Sequence, residues 1–525
     1  MSERNGAQVL ADTLLELGTD TVFGIPGNNV LELYEALKNR RERIAHILTS
    51  HEQGACFAAD GYARATGRTG VVIATSGPGA TNLVTGIAAA YMDSVPLVAI
   101  TGNVPLSTLG RDGFQEVDIT GVTMPVTKYN YIVKDVRQIR ATVLDAFALA
   151  SSGRKGPVLI DVPRDILQAG CPESLPARVR RSGASRPDYA GALNLLLSKR
   201  RPLLLVGGGA KSCDPEILTG FAERIGAAVF CTMMGISAYP ASHPLFFGMA
   251  GPDNARFSAA LKGCDLLIAA GSRFTDRMLH RLPIGCPVLQ LDIDPAETDK
   301  NVPATLALTG DCGELLSELT QGFHSARPAV SAARSDGLCG ELERIAVRPP
   351  RTLQEHILAA LNERKCEMTV VTDVGFHQLQ AARFLSFDRP GSFLTNGGLG
   401  AMGYGMGAAL GAALGRKERV CLVTGDGGFL MNMNELPTAV KYGAKLTVLL
   451  FVNNSLGLVE KLQRRTHDRA PYQTDLARVD YARVARSLGA NVLTVTRQSQ
   501  IGPALDSALA GGGVNVVVCR VAPPR

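Results

Sequence analysis

The stretch that most limits what this chain can fold into runs from Leu422 to Leu456, LVTGDGGFLMNMNELPTAVKYGAKLTVLLFVNNSL. A β-rich run, Val420 to Thr424, stops abruptly at Gly425-Asp426-Gly427-Gly428. A segment of helical period follows, with Leu436, Ala439 and Val440 spaced to share one face. A second apolar run, Leu446 to Val452, then ends at Asn453-Asn454. Strand, turn, helix and strand in that order predict a parallel α/β unit whose two strand ends reach the same sheet edge. That carboxyl edge is where open α/β sheets bind ligands. Asp426 and the Asn pair, about 27 residues apart, bring carboxylate and amide oxygens there beside glycine N–H groups. Such a donor set suits a hard cation carrying a phosphate. A lone GDG or a lone NN would mean only a turn or a strand exit; the pair, each behind a strand, points to a site.

The same rhythm repeats along the 525 residues. A helix near 7–17 and strands near 21–25, 46–50, 71–75, 97–101 and 156–163 predict a first α/β domain, 1–170. Cys171 to Pro187, with Arg178 to Arg181, reads as a solvated linker. RPLLLVGGGA at 201–210 opens a second α/β domain, 188–322, and a polar linker is expected over about 323–350. The third domain, 351–525, contains the opening stretch. Three doubly wound domains with mostly parallel sheets are therefore expected.

Composition excludes several classes. Net charge is +6 and no Lys/Arg block forms a nucleic-acid footprint. No apolar run approaches the length of a membrane span, and the N-terminus lacks a signal peptide's apolar core. Eleven cysteines, an odd number with no CxxC pair, read as reduced thiols of a cytoplasmic protein.

In the first domain, Ile47 to Ser50 delivers His51-Glu52 to a strand end, with a helix expected over Ala55–Ala65. A carboxylate at that place is a candidate for proton transfer. The surrounding text, HEQGACFAADGYARATG, ATSGPGATNLVTGIAAAYMDSVPLVAITG and GRDGFQEVDITGVTMPVTKYNYIVKD, resembles the N-terminal domain of the acetohydroxyacid (acetolactate) synthases. DVGFHQLQAARF, TNGGLGAMGYGMGAALGA and GDGGFLMNMNELPTAVKYG continue the resemblance in the third domain, where GDG followed by NN matches the thiamin-diphosphate signature.

That resemblance implies a three-domain enzyme that uses thiamin diphosphate and Mg²⁺ to decarboxylate pyruvate and join the two-carbon unit to a second 2-keto acid. Metal ligands would be Asp426, the side chain of Asn454 (with Asn453 as the alternative) and the carbonyl of Leu456. Gly425, Gly427, Gly428, Gly375, His377 and Gln378 would meet the diphosphate, and Gly400 and Met402 the bent cofactor. Glu52, supplied by a second subunit, would exchange a proton with the aminopyrimidine, beside Pro26, Gly27, Pro78 and Asn82. Phe114 and Gln115 would face the donor substrate. A homodimer or homotetramer, with a possible separate regulatory subunit, is expected.

The middle domain is ambiguous by its residues alone, because Gly207-Gly208-Gly209 marks a phosphate cradle or merely a turn. The family pattern implies FAD at Gly208, Arg273 and Asp292, although Ala250 and Thr275 stand where a histidine and an aspartate are usual. Asp276 and Arg277 match residues near the substrate channel. Departures gather on the acceptor side: Asn28-Asn29 replace a glycine and an alanine, and Leu462 replaces a tryptophan. These leave open a thiamin enzyme with an altered acceptor, a 2-keto acid decarboxylase, or an FAD-dependent oxidase.

Overall fold

The computed structural model describes residues 4–172, 187–275, 283–326, 335–364, 368–467 and 470–523. Three six-stranded sheets are present, and every registered strand pair in them is parallel. The first contains β1 (Thr21–Gly24), β2 (Ala45–Leu48), β3 (Gly70–Ala74), β4 (Leu97–Asn103), β5 (Tyr129–Ile132) and β6 (Pro157–Pro163), in the order β2-β1-β3-β4-β6-β5. The second contains β7 (Pro202–Val206), β8 (Ala228–Cys231), β9 (Phe246–Met249), β10 (Leu266–Ala270), β11 (Val288–Asp292) and β12 (Leu306–Thr309), in the order β12-β11-β10-β7-β8-β9. The third contains β13 (Thr369–Thr372), β14 (Phe393–Thr395), β15 (Val420–Gly425), β16 (Leu446–Val452), β17 (Asn491–Val495) and β18 (Val514–Arg520), in the order β14-β13-β15-β16-β18-β17. Central strands such as β3, β4, β15 and β16 are buried along their whole length, as apolar strands covered on both faces must be.

The chain divides into two compact units. One comprises 1–181, 368–378 and 394–525; the other comprises 182–367 and 379–393. Within the first unit, the helix Glu52–Thr66 crosses the helix Tyr404–Arg416 backbone to backbone. A Cβ on Gly411 would lie 1.8 Å from the Ala58 carbonyl oxygen, and one on Gly61 would lie 2.1 Å from that of Ala408. The sequences GACFAADGYARA and YGMGAALGAALG are thus small-residue faces cut to fit each other.

Several expectations need correction. The segment expected to be a polar linker over 323–350 includes the end of the helix Cys312–Ala326 and all of the helix Ser335–Glu343. Leu338 and Leu342, one turn apart, bury themselves in the second unit's core, so local apolar spacing outweighs the Ser/Ala/Arg content around them. Leu436 and Ala439 are fully buried, but Val440 is 38% exposed and leaves the shared face. The edge strand β5 was not anticipated; it is short and only half-buried, so it carries little periodic signal. Most of the linker expected over 171–187 lies outside the described residues. Among the described residues no helix is long and apolar enough to cross a membrane, and the ten described cysteines are free thiols.

Candidate active site

At the carboxyl edge of the third sheet, β15 runs directly into the helix Asp426–Asn432, so Asp426 opens a helix rather than a loop. Its Oδ2 accepts the backbone N–H groups of Asn453 and Asn454 at 2.9 and 2.6 Å, and its Oδ1 accepts that of Gly427 at 3.0 Å. Burial pushes this carboxyl up, against the pull of those amides. Asn453 Oδ1 accepts the Ser455 N–H, closing a turn. Asn454 takes φ +54°, a left-handed conformation that Asn tolerates. The stretch beyond is fixed by Leu456 N–H to the Thr474 carbonyl and Leu476 N–H to the Asn454 carbonyl.

The glycines of this turn face functional side chains. A Cβ on Gly425 would meet the His377 ring at 2.9 Å, one on Gly428 would meet Asp373 Oδ2 at 2.7 Å, and one on Gly427 would meet Leu456, Met402 and Leu476 at 2.9 to 3.5 Å. Asp373 is buried beneath them, accepting N–H groups from Val374 and Gly403, and burial raises its carboxyl to about 6. His377 is buried, its pKa pushed down to about 4, so the ring is neutral; its Nε2 has no hydrogen-bond partner. A buried, unsatisfied imidazole nitrogen is costly unless something binds it. Gln378 differs, because its side-chain amide is already engaged by Thr395 Oγ1 and the Asn396 carbonyl. Gly400 takes φ +71° in the loop leading to Met402.

The second cluster lies at the carboxyl edge of the first sheet. Glu52 is the first residue of its helix, and its Oε2 accepts a hydrogen bond from Asn82 Nδ2 at 3.0 Å. Its Oε1 lies 3.5 Å from where a Cβ on Gly79 would stand. Pro78 opens the short helix Pro78–Asn82, and the turn before it packs on Gln115: a Cβ on Gly77 would sit 2.8 Å from the Gln115 carbonyl oxygen. Gln115 itself has φ +61°, and Phe114 is 83% exposed. Pro26 leads into Gly27, which packs on Thr75. Asn29 is buried, donating to Ser76 Oγ at 2.6 Å while its own N–H reaches Thr75 Oγ1. Asn28 is exposed, so of the two added amides only this one is open to solvent.

One residue that sequence reasoning overlooked ties the clusters' supports together. Glu435, fully buried on the third-sheet side, accepts the backbone N–H groups of Ser50 and His51 and the hydroxyl of Thr438. It thereby fixes the turn that presents Glu52, and Gly54 leaves room for it, since a Cβ there would lie 2.3 Å from Glu435 Oε1. A buried carboxylate needs such donors. A second tie is Arg64, whose guanidinium bonds Asp60, Asp93 and the Thr395 carbonyl. Asp93 in turn accepts from Asn396 and from the Gly397 and Gly398 N–H groups. The only advance signal for Glu435 was its place inside the NELP block.

In the second sheet, the glycine triplet after β7 packs against backbone. A Cβ on Gly207 would lie 2.1 Å from the Gly271 carbonyl oxygen, and Gly209 N–H donates to that same oxygen. Gly208 faces Met234, Arg273 accepts Asn301 Nδ2 at its carbonyl, and Asp292 Oδ1 accepts the Asp294 N–H. Asp276 and Arg277 lie outside the described residues. Leu462 is 51% exposed on the helix Gly457–His467.

Residues 4–122 match the N-terminal TPP binding domain of thiamine pyrophosphate enzymes, 189–319 their central domain and 373–519 their C-terminal TPP binding domain. The acetolactate synthase large subunit of Parasynechococcus marenigrum is 39% identical over 96% of this chain and 85% of its own length. The acetolactate synthase isozyme 2 large subunit of Escherichia coli is 38% identical over 97% and 94%. A probable acetolactate synthase large subunit of Methanocaldococcus jannaschii is 37% identical over 96% and 90%. Similarity that spans all three sheets and both polar clusters leaves one conclusion: the chain belongs to the thiamine pyrophosphate enzymes of the acetolactate synthase family.

Proposed function

We propose that this chain catalyses thiamin-diphosphate-dependent synthesis of acetolactate-type products, decarboxylating a 2-keto acid such as pyruvate and joining the remaining two-carbon unit to a second 2-keto acid. The carrying observation is the cluster at the end of β15, where Asp426 holds the 453–454 turn and His377, its Nε2 unsatisfied, packs against Gly425. Its residues fit a diphosphate: a neutral imidazole able to donate, and glycine amides. Mg²⁺ would be held by Asp426, the side-chain oxygen of Asn454 and the Leu456 carbonyl. Engagement of Asn453 Oδ1 within its own turn favours Asn454 as the amide ligand. The bound cofactor supplies an electron sink for the decarboxylation.

The chain's own residues position and protonate. With Oε2 held by Asn82, Glu52 Oε1 would be the oxygen that exchanges a proton with the aminopyrimidine. Met402 would prop the cofactor, and Phe114 and Gln115 would border the donor site. Asn28 and Leu462 shape the acceptor side; a loss of aromatic bulk at 462 widens it. FAD is assigned to the turns after β7, β10 and β11, with Gly208, Arg273 and Asp292; within β11, Gln290 Oε1 is buried without a hydrogen bond. A second copy supplies Glu52 to each diphosphate pocket, which also covers the exposed Phe114, Met124 and Met431. A separate regulatory subunit is compatible with the large-subunit relatives.

Product analysis tests the reading. Pyruvate, thiamin diphosphate and Mg²⁺ should yield acetolactate, and Glu52→Gln should lower turnover about 10²- to 10⁴-fold while cofactor still binds. Carbon dioxide with no C–C product would overturn it. Glu52→Gln and Asp426→Asn chains, each inactive alone, should recover activity on co-expression if the site is shared.

A further inference from the structure

The strands β10 and β11 run parallel with Leu267 opposite Val288, and Leu267 N–H donates to the Pro287 carbonyl at 3.0 Å. The segments that enter these strands therefore lie side by side at the amino edge of the second sheet, opposite the edge that carries the glycine turns. Each brings a cysteine. Cys264 ends the helix Ala255–Gly263, its N–H bonded to Ala260, and Cys286 stands two residues before β11. Their sulfurs are 3.4 Å apart, close enough for one thiol to donate to the other. Cys264 is buried in the apolar core and Cys286 is half-exposed. At the neighbouring Gly285 a side chain would meet open space. The hydrogen bond between the two cysteines pulls the Cys286 thiol down and pushes that of Cys264 up. The more exposed Cys286 is the nucleophile and the buried Cys264 the resolving thiol. Nearby Asp265 is occupied by the Arg200 and Arg201 N–H groups.

We propose that Cys264 and Cys286 are a modification site, a dithiol that hydroperoxides oxidise to an intramolecular disulfide. The Cys286 thiolate attacks one peroxide oxygen; the O–O bond breaks, and the departing oxygen takes a proton and leaves as water or alcohol. Cys286 is then a sulfenic acid. The Cys264 sulfur, giving up its proton, attacks Cys286 Sγ; the S–O bond breaks and a second water leaves. Two thiols lose two electrons and two protons, and the peroxide takes them up. To bond, the sulfurs need to close by only about 1.4 Å, because a disulfide spans about 2 Å. The bridge would close a loop across a sequence separation of 22 residues, containing β10, and restrict the unfolded chain.

The test uses the purified full-length enzyme treated with hydrogen peroxide, alkylated and mapped without reduction. A peptide pair joined through Cys264 and Cys286 is expected, reversed by dithiothreitol, with a thermal midpoint raised by a few degrees and acetolactate formation within twofold of untreated enzyme. Cys264→Ser should lose the cross-link and leave Cys286 as a sulfenic acid trapped by dimedone; Cys286→Ser should lose both signals. Recovery of both cysteines fully alkylated, or of Cys286 carrying only sulfinic acid in the wild-type enzyme, would overturn the proposal.

Discussion

Two strand-to-turn junctions in this molecule are built from glycine runs, and they spend the missing side chains on opposite ends. After β7, Gly207 and Gly209 let one main chain lie against another, and the nearest atoms are the backbone of Gly271. After β15, Gly425, Gly427 and Gly428 face the side chains of His377, Met402, Leu456 and Asp373. Sequence alone does not separate the two. What a Cβ would strike does: backbone at Gly207 and Gly209, side chains at Gly425, Gly427 and Gly428.

The contrast makes graded predictions. Gly207→Ala should be the most damaging, because neither the β7 turn nor Gly271 can give way; a loss of about 3 kcal/mol or more in urea unfolding is expected. A loss well under that would erase the distinction. The polar floor of the β15 turn should show itself as pH dependence. Asp373 is raised to about 6 by burial, so its contribution is intact below its unfolded value near 4 and is lost as pH rises through 6. Compared with Asp373→Asn, the cofactor-free wild type should lose up to about 3 kcal/mol between pH 4 and 7. Equal slopes for the two proteins would refute that assignment. Gly427→Ala should cost under about 1 kcal/mol of stability, since side-chain ends can move, yet weaken thiamin diphosphate binding about tenfold by titration calorimetry. The smallest effect is expected at His377→Leu. Removing an unsatisfied imidazole should leave the cofactor-free melting temperature no lower than wild type, while cofactor affinity falls. A lowered melting temperature with unchanged affinity would make His377 a structural residue.

Much of this was legible in advance because it depends on local order. The run Leu446 to Val452 is a strand at those residues, and β15 extends the expected Val420–Thr424 by one. The resemblance pointed to Glu52, Asp426, His377 and Met402, and the fold sets them on two carboxyl edges. What escaped reading depends on partners distant in sequence. Glu435 looks like any helix-flanking carboxylate until Ser50 and His51 are brought to it. Asn29 looked like a polar substitution in a pocket, whereas Ser76 and Thr75 claim it. The helix Ser335–Glu343 hid in a composition typical of linkers, because two leucines suffice to bury one turn.

The seam between the helices Glu52–Thr66 and Tyr404–Arg416 bears on how such an enzyme can be re-engineered. Gly411 against Ala58 and Gly61 against Ala408 make the fit reciprocal, so no single substitution on either helix can be answered by a simple enlargement on the other. A chimaera that exchanges the first domain alone would mate mismatched surfaces and shift the start of the very helix that bears Glu52. Residues 52–66 and 404–416 are best transplanted together, as one inheritable block.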